Sequence, residues 1–281
     1  MTFLAATGYA SVDYVVGLAG QIAGDQTTLI SRRDSNGWPR AGGCPAYVAS
    51  AAARAGQKAC AVCWVGDDEA GKGYKRELMS NGVGIEGIAT MPGRPSPTAI
   101  LAYQPDRSCA CLFDPALSGE EALNAQQRKI LREASHICIT VGPPHLIREI
   151  LSSRTGRSRL YWVLKRDLHA YPSDLRDAIS GQADVIFCNE SERDLIGRIS
   201  NNTIIVQTRG ENRIVLRIGD QESGIRIAPL KAQDTTGAGD TLAGGFIAAE
   251  MAAVADPAQA LRLGIRSARN LLVERMRQSE A

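Results

Sequence analysis

The 281-residue sequence has only three histidines, and its seven cysteines form no even set. Cys60 and Cys63 are spaced as half of a zinc site. No second pair follows at zinc-like distance and the histidines are scattered, so the thiols read as reduced core residues. Net charge is nearly lacking too. Lys plus Arg number 32 against 30 for Asp plus Glu, a balance of +2 with no basic stripe or acidic tail to mark a nucleic-acid or membrane surface. A small molecule is therefore the expected partner. No apolar stretch is long enough to span a bilayer. Met1 to Gly8 has no cationic region and does not read as a signal peptide. The expectation is a cytoplasmic protein. A dinucleotide loop is also missing: Gly82-Val83-Gly84-Ile85-Glu86-Gly87 spells G-x-G-x-x-G, but it follows a predicted helix instead of a strand. This argues against a nucleotide-dependent oxidoreductase.

What is present concentrates near the carboxyl end, in Asp234-Thr235-Thr236-Gly237-Ala238-Gly239-Asp240-Thr241 followed by Leu242 to Ala249. Glycines flanking an alanine directly before a run of small and apolar residues predict a tight turn that opens a buried helix. At such a junction the amides of Gly237, Ala238 and Gly239 can converge on an anion, favoured by the helix dipole. Asp240 falls in the first turn. It is either a favourable first-turn carboxylate or, beside a phosphoryl group, a base that takes a proton from an attacking hydroxyl.

The unbroken segment DTTGAGD resembles the signature of the ribokinase-like (pfkB) carbohydrate kinase family. That resemblance implies Asp240 as catalytic base and Gly237, Ala238 and Gly239 as the anion hole. It also implies a ribokinase-like three-layer αβα fold with a mostly parallel central sheet and a small β-sheet lid. ATP and Mg2+ are the implied cofactors, with room for a monovalent cation, and dimerisation through the lid is implied. Strands alternating with helices along the chain independently predict an α/β fold. The expectation is one domain over residues 1–281, with the lid formed by inserted segments at about 13–38 and 95–114.

Several further stretches gain a role from the resemblance. Asp13, after a predicted strand over residues 3–7, reads as a turn residue or, by resemblance, an acceptor for sugar hydroxyls. Gly42 and Gly43 open an alanine-rich helix to Arg54. They either begin that helix or allow close backbone approach to a substrate. This second family motif has Tyr47 where asparagine is usual, so the substrate contact there departs from the family pattern. Lys165, at the end of the strand over residues 160–164, is a solvated loop residue or a receiver for an acidic group. Asn189 and Glu192 form a capping-box pattern and match the family motif N-x-x-E that positions magnesium. Thr208, Gly210 and Thr236 are implied nucleotide contacts together with Asn189, although Arg213 replaces the second glycine of T-x-G-x-x-G. A final helix runs from Pro257 to about Arg277. Family chains usually continue with another strand, which implies an adenine pocket abbreviated or supplied differently here. The expected activity is ATP-dependent phosphorylation of a fructose- or ribose-like sugar hydroxyl. Nucleosides, sugar phosphates and acidic sugars are alternative substrates, and a binding protein without catalysis is the rival reading.

Overall fold

The computed structural model describes residues 2–33, 38–119, 121–210 and 212–280, so residues 34–37 of the first expected lid segment and Glu211 of the T-x-G-x-x-G stretch lie outside the described residues. In chain order the elements are β1 (Leu4–Thr7), β2 (Ser11–Leu18), β3 (Ile30–Arg33), β4 (Arg40–Gly42), α1 (Cys44–Arg54), β5 (Ala59–Gly66), α2 (Glu69–Ser80) and β6 (Ile88–Met91). Next come β7 (Thr98–Tyr103), β8 (Cys109–Asp114), α3 (Ala125–Glu133), β9 (His136–Ile139), α4 (Pro144–Ser153), β10 (Arg159–Val163) and α5 (Ser173–Ser180). The chain continues through β11 (Val185–Asn189), a 3-10 turn (Glu190–Leu195), β12 (Ile204–Arg209), β13 (Arg213–Ile218), β14 (Gln221–Arg226), α6 (Ala238–Met251) and α7 (Pro257–Glu280).

The central sheet has the order β14-β13-β12-β11-β10-β9-β1-β5-β6 among the described residues. It is parallel from β6 through β12 and closes with the antiparallel pairs β12/β13 and β13/β14. Apolar runs such as Ala59-Cys60-Ala61-Val62-Cys63-Trp64-Val65 are buried at every position, as expected of strands covered by helices on both faces. From β1 the order runs one way to β5 and the other way to β9. Right-handed crossovers then place the intervening helices on opposite faces, and the reversal leaves a crevice beyond the carboxyl ends of β1 and β9.

β2, β3, β7 and β8 form the second, smaller sheet, with β4 paired to β2. β2 is longer than the sequence suggests, because Val12, Val15 and Val16 are buried across both faces and show no clean alternation. The helix expected to open at Gly42 and Gly43 starts only at Cys44. Gly43 has φ of 83°, and its Cβ position is blocked by the Tyr9 carbonyl, so the residues before it are drawn into β4. The thiol expectation needs a correction. Cys44, Cys60, Cys63, Cys138 and Cys188 are buried, but Cys109 and Cys111 are exposed on β8, which lacks a covering layer on that part of its surface.

Helix α6 is buried from Asp240 to Ala249 and lies between α1 and α7. Small residues make this approach feasible. A Cβ on Gly244 would fall on the Val48 carbonyl, and one on Gly264 would lie 2.5 Å from the Leu242 carbonyl. Replacing Gly244 with valine should therefore overpack the α1/α6 contact and cost about 1–3 kcal/mol. Urea denaturation measures this, and an unchanged midpoint would contradict the packing described.

Candidate active site

Asp13 lies on β2 just past the crevice, 2% exposed. Its Oδ1 accepts from Ser11 Oγ at 2.5 Å and its Oδ2 from Tyr47 Oη at 3.1 Å. Gly42 sits directly beneath, since a Cβ there would fall on the Asp13 carboxylate. Burial pushes the Asp13 carboxyl up to about 6, against the lowering pull of Ser11, Arg40, Tyr47 and Arg275. Tyr47 therefore occupies one face of the group that the family resemblance assigns to sugar hydroxyls.

Gly237 caps α6 in the left-handed conformation, with φ of 72°. A Cβ at Gly237 would meet the Tyr47 ring at 2.5 Å, so only glycine allows the ring to lie against this turn. The Ala238 amide donates to the Thr235 carbonyl at 3.1 Å and shapes the turn. Among the described residues the amides of Gly237 and Gly239 have no backbone acceptor, and a Cβ on Gly239 would meet nothing within 4 Å. The helix therefore presents donors to open space at its positive end.

Asp240, 3% exposed, lies in the first turn of α6. Lys165 Nζ is 3.3 Å from Oδ1 and 3.5 Å from Oδ2, and among the described residues Oδ1 has no aligned hydrogen-bond donor. This is a loose ion pair, and the lysine side chain is a third exposed. Burial opposes the Lys165 ammonium, but Asp240 outweighs it and holds Lys165 above its usual value. Cys44 lies against the same carboxylate, its thiol pushed up by burial and then by Asp240.

A cavity of about 210 Å³ opens beside this pair, lined among others by Lys165, Asn189, Glu192, Thr208 and Gly239. Asn189 and Glu192 form the full capping box: Asn189 Oδ1 accepts from the Glu192 amide at 3.0 Å and Glu192 Oε2 from the Asn189 amide at 2.7 Å. Burial pushes the Glu192 carboxyl up. No cluster of three metal-ligating His, Cys, Asp or Glu side chains occurs among the described residues. These oxygens accordingly suit a hydrated cation that rides on a ligand's phosphates, not one enclosed by protein. Gly210 is exposed in the β12–β13 turn, outside that lining. Arg213 starts β13 with its guanidinium over Gly224, and since no positive φ occurs at that position, glycine is not required there. Thr236 is fully committed. Its amide donates to Asp234 Oδ1 (2.9 Å), its hydroxyl pairs with Tyr103 Oη (2.8 Å) and its carbonyl accepts from Arg275 Nη1 (2.5 Å).

The sequence reading missed Arg40, Tyr103 and Arg275, which gather around Asp234. For Arg275 one signal was available. It continues the buried phase of α7 through Leu261, Gly264, Ala268 and Leu271, an unusual place for an arginine.

The family profile described as pfkB family carbohydrate kinase matches residues 1–275, nearly the whole chain. The chain belongs to the pfkB family of carbohydrate kinases. It is thus a phosphotransferase that acts on hydroxyl groups of sugars or nucleosides. The nucleoside kinase of Methanothermobacter thermautotrophicus is 26% identical over 266 residues, covering 88% of this chain and 82% of that protein. The ATP-dependent ribose-1-phosphate kinase of Halopiger xanaduensis is 26% identical, covering 80% and 77%. Among solved structures, ribokinase from Cryptococcus neoformans in complex with ADP superposes with a TM-score of 0.79 at 21% identity, covering 95% of this chain and 93% of that one, a likeness of fold.

In this pfkB kinase the raised Asp13 carboxyl makes stability depend on pH. The folded state holds the proton between the ordinary value of 3.8 and about 6, so the contribution is present below that window and is lost as pH rises through it. Asp13→Asn lacks the titration. Its stability relative to wild type should rise by about 3 kcal/mol between the acid and neutral ends of the window. Urea denaturation at a series of pH values from about 3.5 to about 7.5, spanning both ends of the window, measures this, and a flat difference would contradict the shift.

Proposed function

We propose that this kinase transfers the γ-phosphoryl group of ATP to a hydroxyl of a small sugar of the fructose or ribose type. The observation that carries the reading is the buried Asp240 carboxylate in the first turn of α6, beside the open amides of Gly237 and Gly239. A carboxylate repels a resting phosphate, so its placement at an anion hole suits a base. The acceptor oxygen attacks the γ-phosphorus while Asp240 takes its proton. The bond to the bridging oxygen breaks, and ADP leaves. The Gly237 to Gly239 turn holds the charge of the transferring group.

Lys165 screens Asp240 from the incoming phosphates and lies within reach of both. Asn189 and Thr208, paired across β11 and β12, line the phosphate side, with Gly210 and Thr236 shaping the loops beside it. Mg2+ arriving with the nucleotide would be served by Asn189 and Glu192 through its waters, and it would draw charge from the phosphates. Asp13, Gly42, Gly43 and Tyr47 form the acceptor side. The second sheet closes over it as a lid formed by the segments about 13–38 and 95–114. Its outer face, where Ile100 and Leu112 are paired and exposed, takes a second copy of the chain. Cytoplasmic location completes the reading. No described helix is long and apolar enough to cross a membrane.

Substrates named for relatives range from nucleosides to a sugar phosphate, so the acceptor test spans fructose, ribose, nucleosides, sugar phosphates and sugar acids. Wild type should phosphorylate at least one. Asp240→Asn should lose about a hundredfold or more in kcat on it while nucleotide affinity holds. Nucleotide binding without turnover on any acceptor would favour a non-catalytic binding protein instead, and near-normal turnover of the variant would remove Asp240 as the base.

A further inference from the structure

The loop that carries the anion hole is held by two buried guanidiniums. Asp234, which opens the motif, is 7% exposed, and its Oδ2 lies 2.7 Å from Arg40 Nη2 in a close ion pair and 3.5 Å from Arg275 Nη1. Its Oδ1 accepts from the Thr236 amide at 2.9 Å and from Tyr103 Oη at 3.2 Å. Burial opposes ionisation of Asp234, but Arg275 and Arg40 outweigh it and hold the carboxyl below its usual range. Arg275 is also 7% exposed. It donates from Nη1 to the Thr236 carbonyl at 2.5 Å and from Nη2 to Tyr47 Oη at 3.4 Å, and its guanidinium lies 5.6 Å from the centre of the Tyr47 ring.

We propose that Arg275, supported by Arg40, is the resident cation of this loop: a positioning residue that aims the Gly237 amide and leaves no place for the monovalent metal ion that the family resemblance admits. The geometry follows from the peptide plane. The Thr236 carbonyl and the Gly237 amide belong to one rigid trans unit and point in opposite directions. A guanidinium fixed on the carbonyl therefore fixes the amide on the far side, where the helix end opens to solvent, and polarises it. A monovalent metal ion acting on the same turn would need oxygen ligands beside it. The Asp234 carboxylate and the Thr236 carbonyl are the ones at hand, and both already face guanidinium nitrogens. Charge points the same way. Among the described residues Arg40 and Arg275 already stand against Asp234 and Asp13, so an added cation would have to share those carboxylates with two guanidiniums.

The inference rests on the kinase reading for its kinetic arm only. In the kinetic arm, wild-type turnover is compared with tetramethylammonium, sodium or potassium as the accompanying cation at matched ionic strength. Equal rates are expected, and a requirement for potassium or sodium overturns the proposal. Arg275→Met should lose about tenfold to a hundredfold in kcat with KM for ATP nearly unchanged, and added guanidinium or potassium should restore part of it. A loss confined to stability, without rescue, contradicts the positioning role. In the binding arm, thermal unfolding with potassium against tetramethylammonium should show no specific shift for wild type and a stabilising shift for Arg275→Met. A potassium shift in the wild type overturns the proposal whether or not an acceptor has been found. Arg275→Lys keeps a charge but loses the two-pronged contact. It provides a foldable variant if methionine fails, with lower kcat and the same guanidinium rescue expected, and a wild-type kcat counting against the proposal.

Discussion

The left-handed turn at Gly237 is the constraint on which the site depends. Because residue 237 carries no Cβ, the Tyr47 ring of α1 can lie against the start of α6, and from there its hydroxyl reaches Asp13 on β2. One bare backbone position thus joins the helix that presents amides to the strand that presents a buried carboxylate. The same turn leaves Gly239 lining the cavity, its amide without a backbone acceptor among the described residues, and sets Asp240 in the first turn of a helix too buried to shift. Packing around α6 supports this. Gly244 and Gly264 let backbone meet backbone across α1, α6 and α7, and close-packed interiors of that kind transmit displacement instead of absorbing it.

The electrostatics follow a consistent logic. Each buried acid has a cation at hand, but the two pairings differ in tightness. Asp234 is clamped by arginines nearly as buried as itself, as suits a loop that must keep its shape. Asp240 faces a partly exposed lysine at 3.3 Å and 3.5 Å, with one oxygen lacking an aligned donor among the described residues, as would suit the proposed base. Arginine in the fixed position and lysine in the adjustable one match the planar fork of the first and the flexible stem of the second.

Much of this architecture was legible in the sequence because its signals are local. The Gly237-Ala238-Gly239-Asp240 turn, the Asn189–Glu192 capping box and the fully apolar parallel strands each declare themselves within a few residues. What escaped is long-range. Arg275 meets Tyr47 across 228 positions of chain and Tyr103 meets Asp234 across 131, and no local pattern marks either pair. Thr236 was read as a nucleotide contact because of its place in the motif, whereas its polar groups are taken up by Asp234, Tyr103 and Arg275. The exposed Cys109 and Cys111 were misread for a related reason. An apolar run on an edge strand reads like a core strand until its neighbours are known.

The most direct measurement is a crystal structure with ADP, Mg2+, aluminium fluoride and a turned-over acceptor, in which the planar fluoride stands for the phosphoryl group in flight. The account predicts the fluoride on the amides of Gly237 and Gly239, with the acceptor hydroxyl between aluminium and Asp240. A fluoride bound away from that turn, with the acceptor hydroxyl out of reach of Asp240, would contradict it.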